Sequence, residues 1–155
     1  MITLEPIGTV VTDFRNPEDL RVACREGKDF PGISRIFLKE HLKNGLEGLS
    51  GFSHLWILYY LNQAKNRMEM SAYPGPEDVK GLPEVGIFAS RSQYRPNHIA
   101  LRLVRLLGIE DSIIEVQGLD AIDGSPVLDI KPFVKGFDYP DNPVTAKWYR
   151  WLDGR

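Results

Sequence analysis

Cysteine occurs once in this chain, at Cys24, so no internal disulfide can form and nothing in the cysteine usage calls for an oxidising compartment. Long hydrophobic runs are missing as well. The longest, Leu55 to Leu61 (LWILYYL), falls far short of the roughly 20 apolar residues that a membrane helix needs, and reads as a core strand or buried helix. The opening MITLEPIGTV has no basic stretch followed by a long apolar run, so it does not look like a signal peptide. These absences together lead us to expect a cytoplasmic chain with no membrane association.

An excess of one charge is absent too. With 19 basic against 21 acidic residues the net charge is -2, whereas a protein built to coat phosphate backbones is usually clearly basic. Any nucleic-acid contact must therefore be local. The chain has no GxxxxGK[ST], and its glycines at 45, 48 and 51 lack the GxGxxG spacing, which disfavours ATP hydrolysis and a Rossmann cofactor site. His41, His54 and His98 sit far apart with no CxxC or HExxH partner, so no metal site is expected. No GxSxG marks a serine nucleophile. His54, inside the apolar run, reads best as a hydrogen-bonded core residue.

What is present fits one globular domain over residues 1–155, with a core from about residue 5 to 138 and a helical tail from about 142 to 152. β-Branched residues in Leu4 to Val11 predict a first strand, and alternation in Gly32 to Leu38 predicts a second. Between them, Asp13 to Asp29 reads as a surface loop with one helical turn. Glycines 45, 48 and 51 punctuate a turn, and Phe52 to Leu61 is the strongest strand candidate. Asn62 to Pro83 reads as a long excursion over the surface, of the kind that often carries function. Val85 to Ser90, Ile99 to Leu107, Ser112 to Gly118 and Val127 to Ile130 follow as short elements, of which Ile99 to Leu107 suits a strand or a helix equally. Asn142 as N-cap, Pro143 at the first helical position and apolar Val144, Trp148 and Trp151 or Leu152 predict a C-terminal helix. Many short strands with frequent turns make the fold class mainly β, closed or partly closed.

Two segments carry chemistry. From Gly86 to Leu107 there are four arginines (91, 95, 102 and 105) and no acid, with Tyr94 and His98 offering rings. Guanidinium groups grip phosphates and carboxylates, and bases stack on rings, so this suits an anionic aromatic ligand; arginines decorating a polar face are the equal alternative. Arg91 and Arg95, beside Ser92 and Pro96, are the better functional candidates. The second segment, LDAIDGSPVLDIKP, holds Asp120, Asp123 and Asp129. Carboxylates there can take amines or ribose hydroxyls, although Asp123-Gly124 alone reads as an ordinary turn.

In this order, IGTVVTDF, LEGLSGFSHLWILYYL, GIFASRSQYRPNHIALRLVRLLGI and LDAIDGSPVLDIKPF resemble the TsaA-like family, which includes the TrmO tRNA methyltransferases, over roughly Ile7 to Asp138. The resemblance implies a compact β-barrel-like domain with short helices that forms homodimers and binds S-adenosylmethionine outside the Rossmann framework. It implies N6-methylation of threonylcarbamoyladenosine in the tRNA anticodon loop. By matching position the cofactor contacts fall on Pro17, Glu18 and Asp19, on Asn62 and Gln63, on Arg91 and Leu101, and on Asp120, Ala121, Ile122 and Asp123. Tyr94, Arg95, Asn97 and His98 are then expected to hold the modified base. Pro17-Glu18-Asp19 stands where the family commonly has Pro-Arg-Gln, and Asn62 where it commonly has histidine. A small-molecule methyltransferase of the same fold and a non-catalytic cofactor-binding module are the alternatives.

Overall fold

The computed structural model describes residues 1–64 and 66–153. Six antiparallel strands close into a barrel in the order β1 (Gly8–Val11), β2 (Ile33–Leu38), β7 (Ile113–Gln117), β6 (Ile99–Glu110), β3 (His54–Tyr60) and β8 (Pro126–Pro132), with β8 returning to β1. Closure follows from β6. Its first half pairs with β3 from Ile99 to Arg105 and its second half with β7 from Arg105 to Glu110, with a bulge between Leu106 and Gly108 that lets one long strand bend around the core. Given two partners, Ile99 to Leu107 settles as strand. A separate two-stranded ribbon, β4 (Ser71–Ala72) with β5 (Val85–Gly86), decorates the long excursion.

Alternation places the core. Leu55, Ile57 and Tyr59 point inward from β3 and meet Val10, Ile36, Val104, Ile114, Val116 and Val127 from the other five strands. The same alternation turns Tyr59 inside, with 3% exposure. Its buried hydroxyl needs a partner, and donates to the Asp120 backbone oxygen at 3.0 Å and to Asp120 Oδ1 at 2.9 Å. Burial first, and then the neighbouring Asp120 carboxylate, push this phenol well above its ordinary value; the Arg102 and Arg91 guanidiniums oppose the shift. His54 is hydrogen-bonded, its Nδ1 lying 2.8 Å from Ser53 Oγ, but it sits half-buried on the outward side of β3 and outside the core.

Several elements differ from the sequence reading. The 13–29 segment holds α1 (Arg21–Glu26) and a 3-10 turn at Gly27–Asp29, and the glycines at 45, 48 and 51 lie in or beside 3-10 turns at Glu40–Leu46 and Leu49–Gly51. After β8 comes α2 (Lys135–Asp138). The predicted C-terminal helix is shorter and tighter than expected, a 3-10 turn over Lys147–Leu152. Asn142 does not cap it: its φ is 50°, and Val144 is 97% exposed, so helical propagation there has no apolar surface to pack on.

Ile57→Ala, which empties a fully buried position, should lower unfolding stability by about 2–5 kcal/mol in a urea titration. Tyr59→Phe should cost about 1 kcal/mol near neutrality, because Asp120 loses its buried donor. Since the folded pKa of Tyr59 is raised, its contribution is complete below about pH 10, where the unfolded phenol titrates, and declines as pH rises above that. Denaturation against pH should show this loss in the parent chain and a flatter profile in the phenylalanine variant.

Candidate functional site

Because all neighbours are antiparallel, the ends of β1, β3 and β7 and the beginnings of β2, β6 and β8 share one mouth of the barrel. Three connections emerge there: residues 12–32, 61–98 and 118–125. Every site residue expected from the sequence lies on one of these connections, except Leu101, which sits three residues into β6. The opposite mouth carries the connections 39–53 and 111–112.

The 118–125 connection is fixed from inside the barrel. Arg102, opposite Ile57 and therefore inward-facing, donates through Nε to the Gly118 carbonyl at 2.9 Å, through Nη2 to the Gly27 carbonyl, and lies 3.5 Å from Asp120 Oδ2. Tyr59 holds the other oxygen of Asp120. The side chains of Ala121 and Ile122 are buried and belong to the core. Asp123 is engaged in structure: Oδ1 accepts from the Thr12 amide at 3.0 Å, Oδ2 pairs with Arg15 at 2.6 Å, and its own amide donates to the Phe14 carbonyl. Asp120 is thus the carboxylate of this turn that stands at the mouth, its side chain one-third exposed.

The 17–19 turn stays on the same side. Asp19 Oδ2 accepts from the amides of Arg15 and Asn16, and Asn16 Oδ1 accepts from those of Glu18 and Asp19. Glu18 pairs with Arg21 at 2.7 Å. Both carboxylates therefore serve the turn, while Pro17 is exposed. Arg15 joins this turn to Asp123, a link that sequence reasoning missed because 108 residues separate the pair.

Arg91 is exposed and donates through Nη2 to the Leu101 carbonyl at 2.9 Å, which sets it beside β6 and close enough to Tyr59 for its charge to act on the phenol. Arg91 and Asp120 therefore share the mouth. Arg95 is different. Its Nη1 donates to the carbonyls of Ile87, Ser90 and Ser92, so the group clamps its own loop. His98 is 7% exposed with φ at 50°, and its Nε2 lies 2.8 Å from the Arg67 carbonyl, which fixes that nitrogen as donor. Tyr94 is half-buried beneath the Arg67 guanidinium, 4.2 Å from its ring centre, and Asn97 is exposed. Asn62 and Gln63 are exposed on a 3-10 turn after β3, and Leu101 is 42% exposed on the outer face. Tyr59 and Arg102 complete the site; their signal in the sequence was inward phase on two strands, readable only once the register was known.

The cleft offers an exposed guanidinium, a carboxylate and an apolar side chain, which fit the carboxylate, the ammonium or ribose hydroxyls, and the adenine ring of an S-adenosyl donor. Among the described residues no group of three or more His, Cys, Asp or Glu side chains could hold a metal, and no helix is long and apolar enough to cross a membrane.

The model of the tRNA-methyltransferase O N-terminal domain family matches residues 11–139. A probable S-adenosyl-L-methionine-binding protein of Pyrococcus abyssi is 33% identical over 148 residues, which cover 96% of this chain and 76% of that protein. The tRNA (adenine(37)-N6)-methyltransferase of Mus musculus is 39% identical over 100 residues, 64% of this chain and 23% of the mouse protein. The crystal structure of TrmO from Pseudomonas aeruginosa superposes with a TM-score of 0.75 at 29% identity, covering 95% of this chain and 62% of that one. With most of its length matched by the family and its barrel shared with TrmO, the chain belongs to the tRNA-methyltransferase O N-terminal domain family.

Proposed function

We propose that this protein is an S-adenosylmethionine-dependent methyltransferase that modifies an adenine of tRNA, with N6 of threonylcarbamoyladenosine in the anticodon loop as the acceptor. The observation that carries the reading is that the connections bearing Arg91, hydrogen-bonded to the Leu101 carbonyl, and Asp120, hydrogen-bonded to Tyr59, emerge at one barrel mouth, on a chain whose family is named for tRNA methylation. Bound there, the cofactor supplies an electrophilic methyl group for in-line displacement, and what the chain adds is positioning and exclusion of water.

Arg91, held in place by the Leu101 carbonyl, is assigned to the donor's carboxylate, and Asp120, held by Tyr59 and Arg102, to its ammonium or ribose hydroxyls. Leu101, the exposed Asn62 and Gln63 and the 17–19 turn border the same opening. Since Ala121 and Ile122 are buried and Asp123 is engaged with Thr12 and Arg15, these three act by shaping the backbone. On the acceptor side Tyr94 and Asn97 remain the contact candidates, while Arg95 and His98 become positioning residues that hold the loop carrying them. A second copy of the chain would pack on the outward side of β3 and β6, where Tyr60, Ile99 and Leu101 are more than a third exposed. A cofactor-binding module without catalysis is the second reading, favoured by the Pyrococcus abyssi relative, whose name stops at binding.

Incubation with labelled S-adenosylmethionine and unmodified or threonylcarbamoyl-bearing tRNA, followed by mass spectrometry of anticodon-loop nucleosides, should show one added methyl only on the bearing tRNA. Cofactor affinity without transfer to any RNA would favour the binding-module reading. Arg91→Ala should weaken S-adenosylhomocysteine binding by about tenfold in calorimetry, on the order of 1.4 kcal/mol. Arg95→Lys should disturb the loop and lower kcat with a smaller effect on donor affinity.

A further inference from the structure

The chain leaves the barrel at the far mouth, where β8 ends at Pro132, yet its last described residues lie back at the functional mouth. To do so, residues 133–146 cover the length of the barrel, about 20 Å at the rise of an extended strand the size of β8. The returning segment docks through specific contacts. Trp151 Nε1 donates to the Pro74 carbonyl at 2.9 Å, and the indole packs so close to Gly75 that a Cβ there would meet Trp151 and Leu82 atoms at 2.7–3.0 Å. Leu152 rests against Gly27, where a Cβ would lie 3.3 Å from its Cδ2 and where φ is 55°. Gly27 is the residue whose carbonyl Arg102 holds, so the strap seats on the same framework as Asp120.

Between strap and barrel lies a groove of about 460 Å³ lined by Arg91, Thr145, Ala146, Tyr149, Arg150, Leu152 and Asp153. Two guanidiniums and one phenol ring face one carboxylate there. Among the described residues neither Arg91 nor Arg150 has an acidic partner within salt-bridge distance. In a chain of net charge -2, two unpaired arginines facing one groove mark a local site for an anion. Tyr149 lines the groove beside Arg91, so its ring stands next to the charge. The strap lies beyond the residues that the family model matches.

We propose that this groove binds a phosphodiester of the RNA flanking the acceptor base, with Arg150 on the phosphate and Tyr149 against the adjoining sugar or base. The assignment rests on the tRNA reading above. It makes the strap part of the substrate surface, with Arg91 at the boundary between donor and RNA. Guanidinium on phosphate is bidentate and salt-sensitive, and an aromatic ring alongside adds stacking that tolerates sequence.

The test is equilibrium binding of a fluorescent anticodon stem-loop RNA, by anisotropy over a range of salt, alongside calorimetry with S-adenosylhomocysteine. Arg150→Ala should weaken RNA binding about fivefold to tenfold and reduce the salt slope by about one, with donor affinity within twofold of the parent. Arg150→Lys should recover part of the affinity, and Trp151→Ala, which undocks the strap from Pro74, should reproduce the RNA loss. RNA binding and salt slope unchanged in Arg150→Ala would overturn the groove assignment while leaving the tRNA reading in place. An equal loss of donor affinity would overturn it too, giving the groove to the cofactor. A parent chain that binds no RNA at all would defeat both.

Discussion

A buried hydroxyl that must find an acceptor ties this molecule together. Tyr59 points into a barrel filled mainly by Val, Ile and Leu, at the level where the core gives way to the mouth. Leaving its O–H unpaired there would be costly, so the 118–125 connection folds over to meet it with the backbone and side chain of Asp120. Arg102 repeats the device one strand away, reaching up from inside to Gly118, Gly27 and Asp120. Two polar side chains rooted in strands thus fix two loops and one carboxylate, with the precision of the sheet rather than of the loops themselves.

The remaining loops are ordered by their own polar groups. Asp19 and Asn16 satisfy the amides of the 15–19 turn, Arg95 gathers three carbonyls of its loop, and His98 pins the return into β6 to the Arg67 carbonyl. This separates residues by role. Groups whose hydrogen bonds close on neighbouring backbone hold shape, while Arg91 and Asn97 stay exposed and Asp120 keeps one-third of its side chain open at the mouth. A positive φ at His98, uncommon for a residue with a side chain, is tolerated because three contacts over-determine it: its amide to Arg95, its carbonyl to Leu61 and its ring to Arg67.

A barrel of this kind leaves ligand chemistry to connections on a rigid frame, and here the two longest, 12–32 and 61–98, emerge at one end. In the proposed reading, an arginine and a carboxylate at this mouth take the place of the glycine-rich strand-to-helix turn of a Rossmann site. The C-terminal strap extends the same end. Its two anchors, Trp151 on Gly75 and Leu152 on Gly27, need glycines at both contacts, so the loops it meets are shaped to receive it.

The sequence by itself determined the barrel class and the positions of most strands, and it marked the arginine and aspartate segments that the fold brings to one mouth, because alternation, turn residues and an acid-free arginine run are local properties. It also determined family, through motifs dispersed over most of the length. It misplaced His54 and did not single out Tyr59, since a strand's inward phase depends on which neighbours it pairs with, and it left β6 undecided between helix and strand for the same reason. The C-terminal helix failed because Asn142 and Pro143 signal a start, while the apolar contact that would sustain a helix arrives only at Trp148. Only tertiary structure decided which charges are available. Asp123, Glu18, Asp19 and Arg95 look as reactive in the sequence as Asp120 and Arg91, yet Asp123 is taken up by Thr12 and Arg15, more than 100 residues away and brought near when the barrel closes, while Glu18, Asp19 and Arg95 are taken up by neighbours whose turn geometry only the folded loops set.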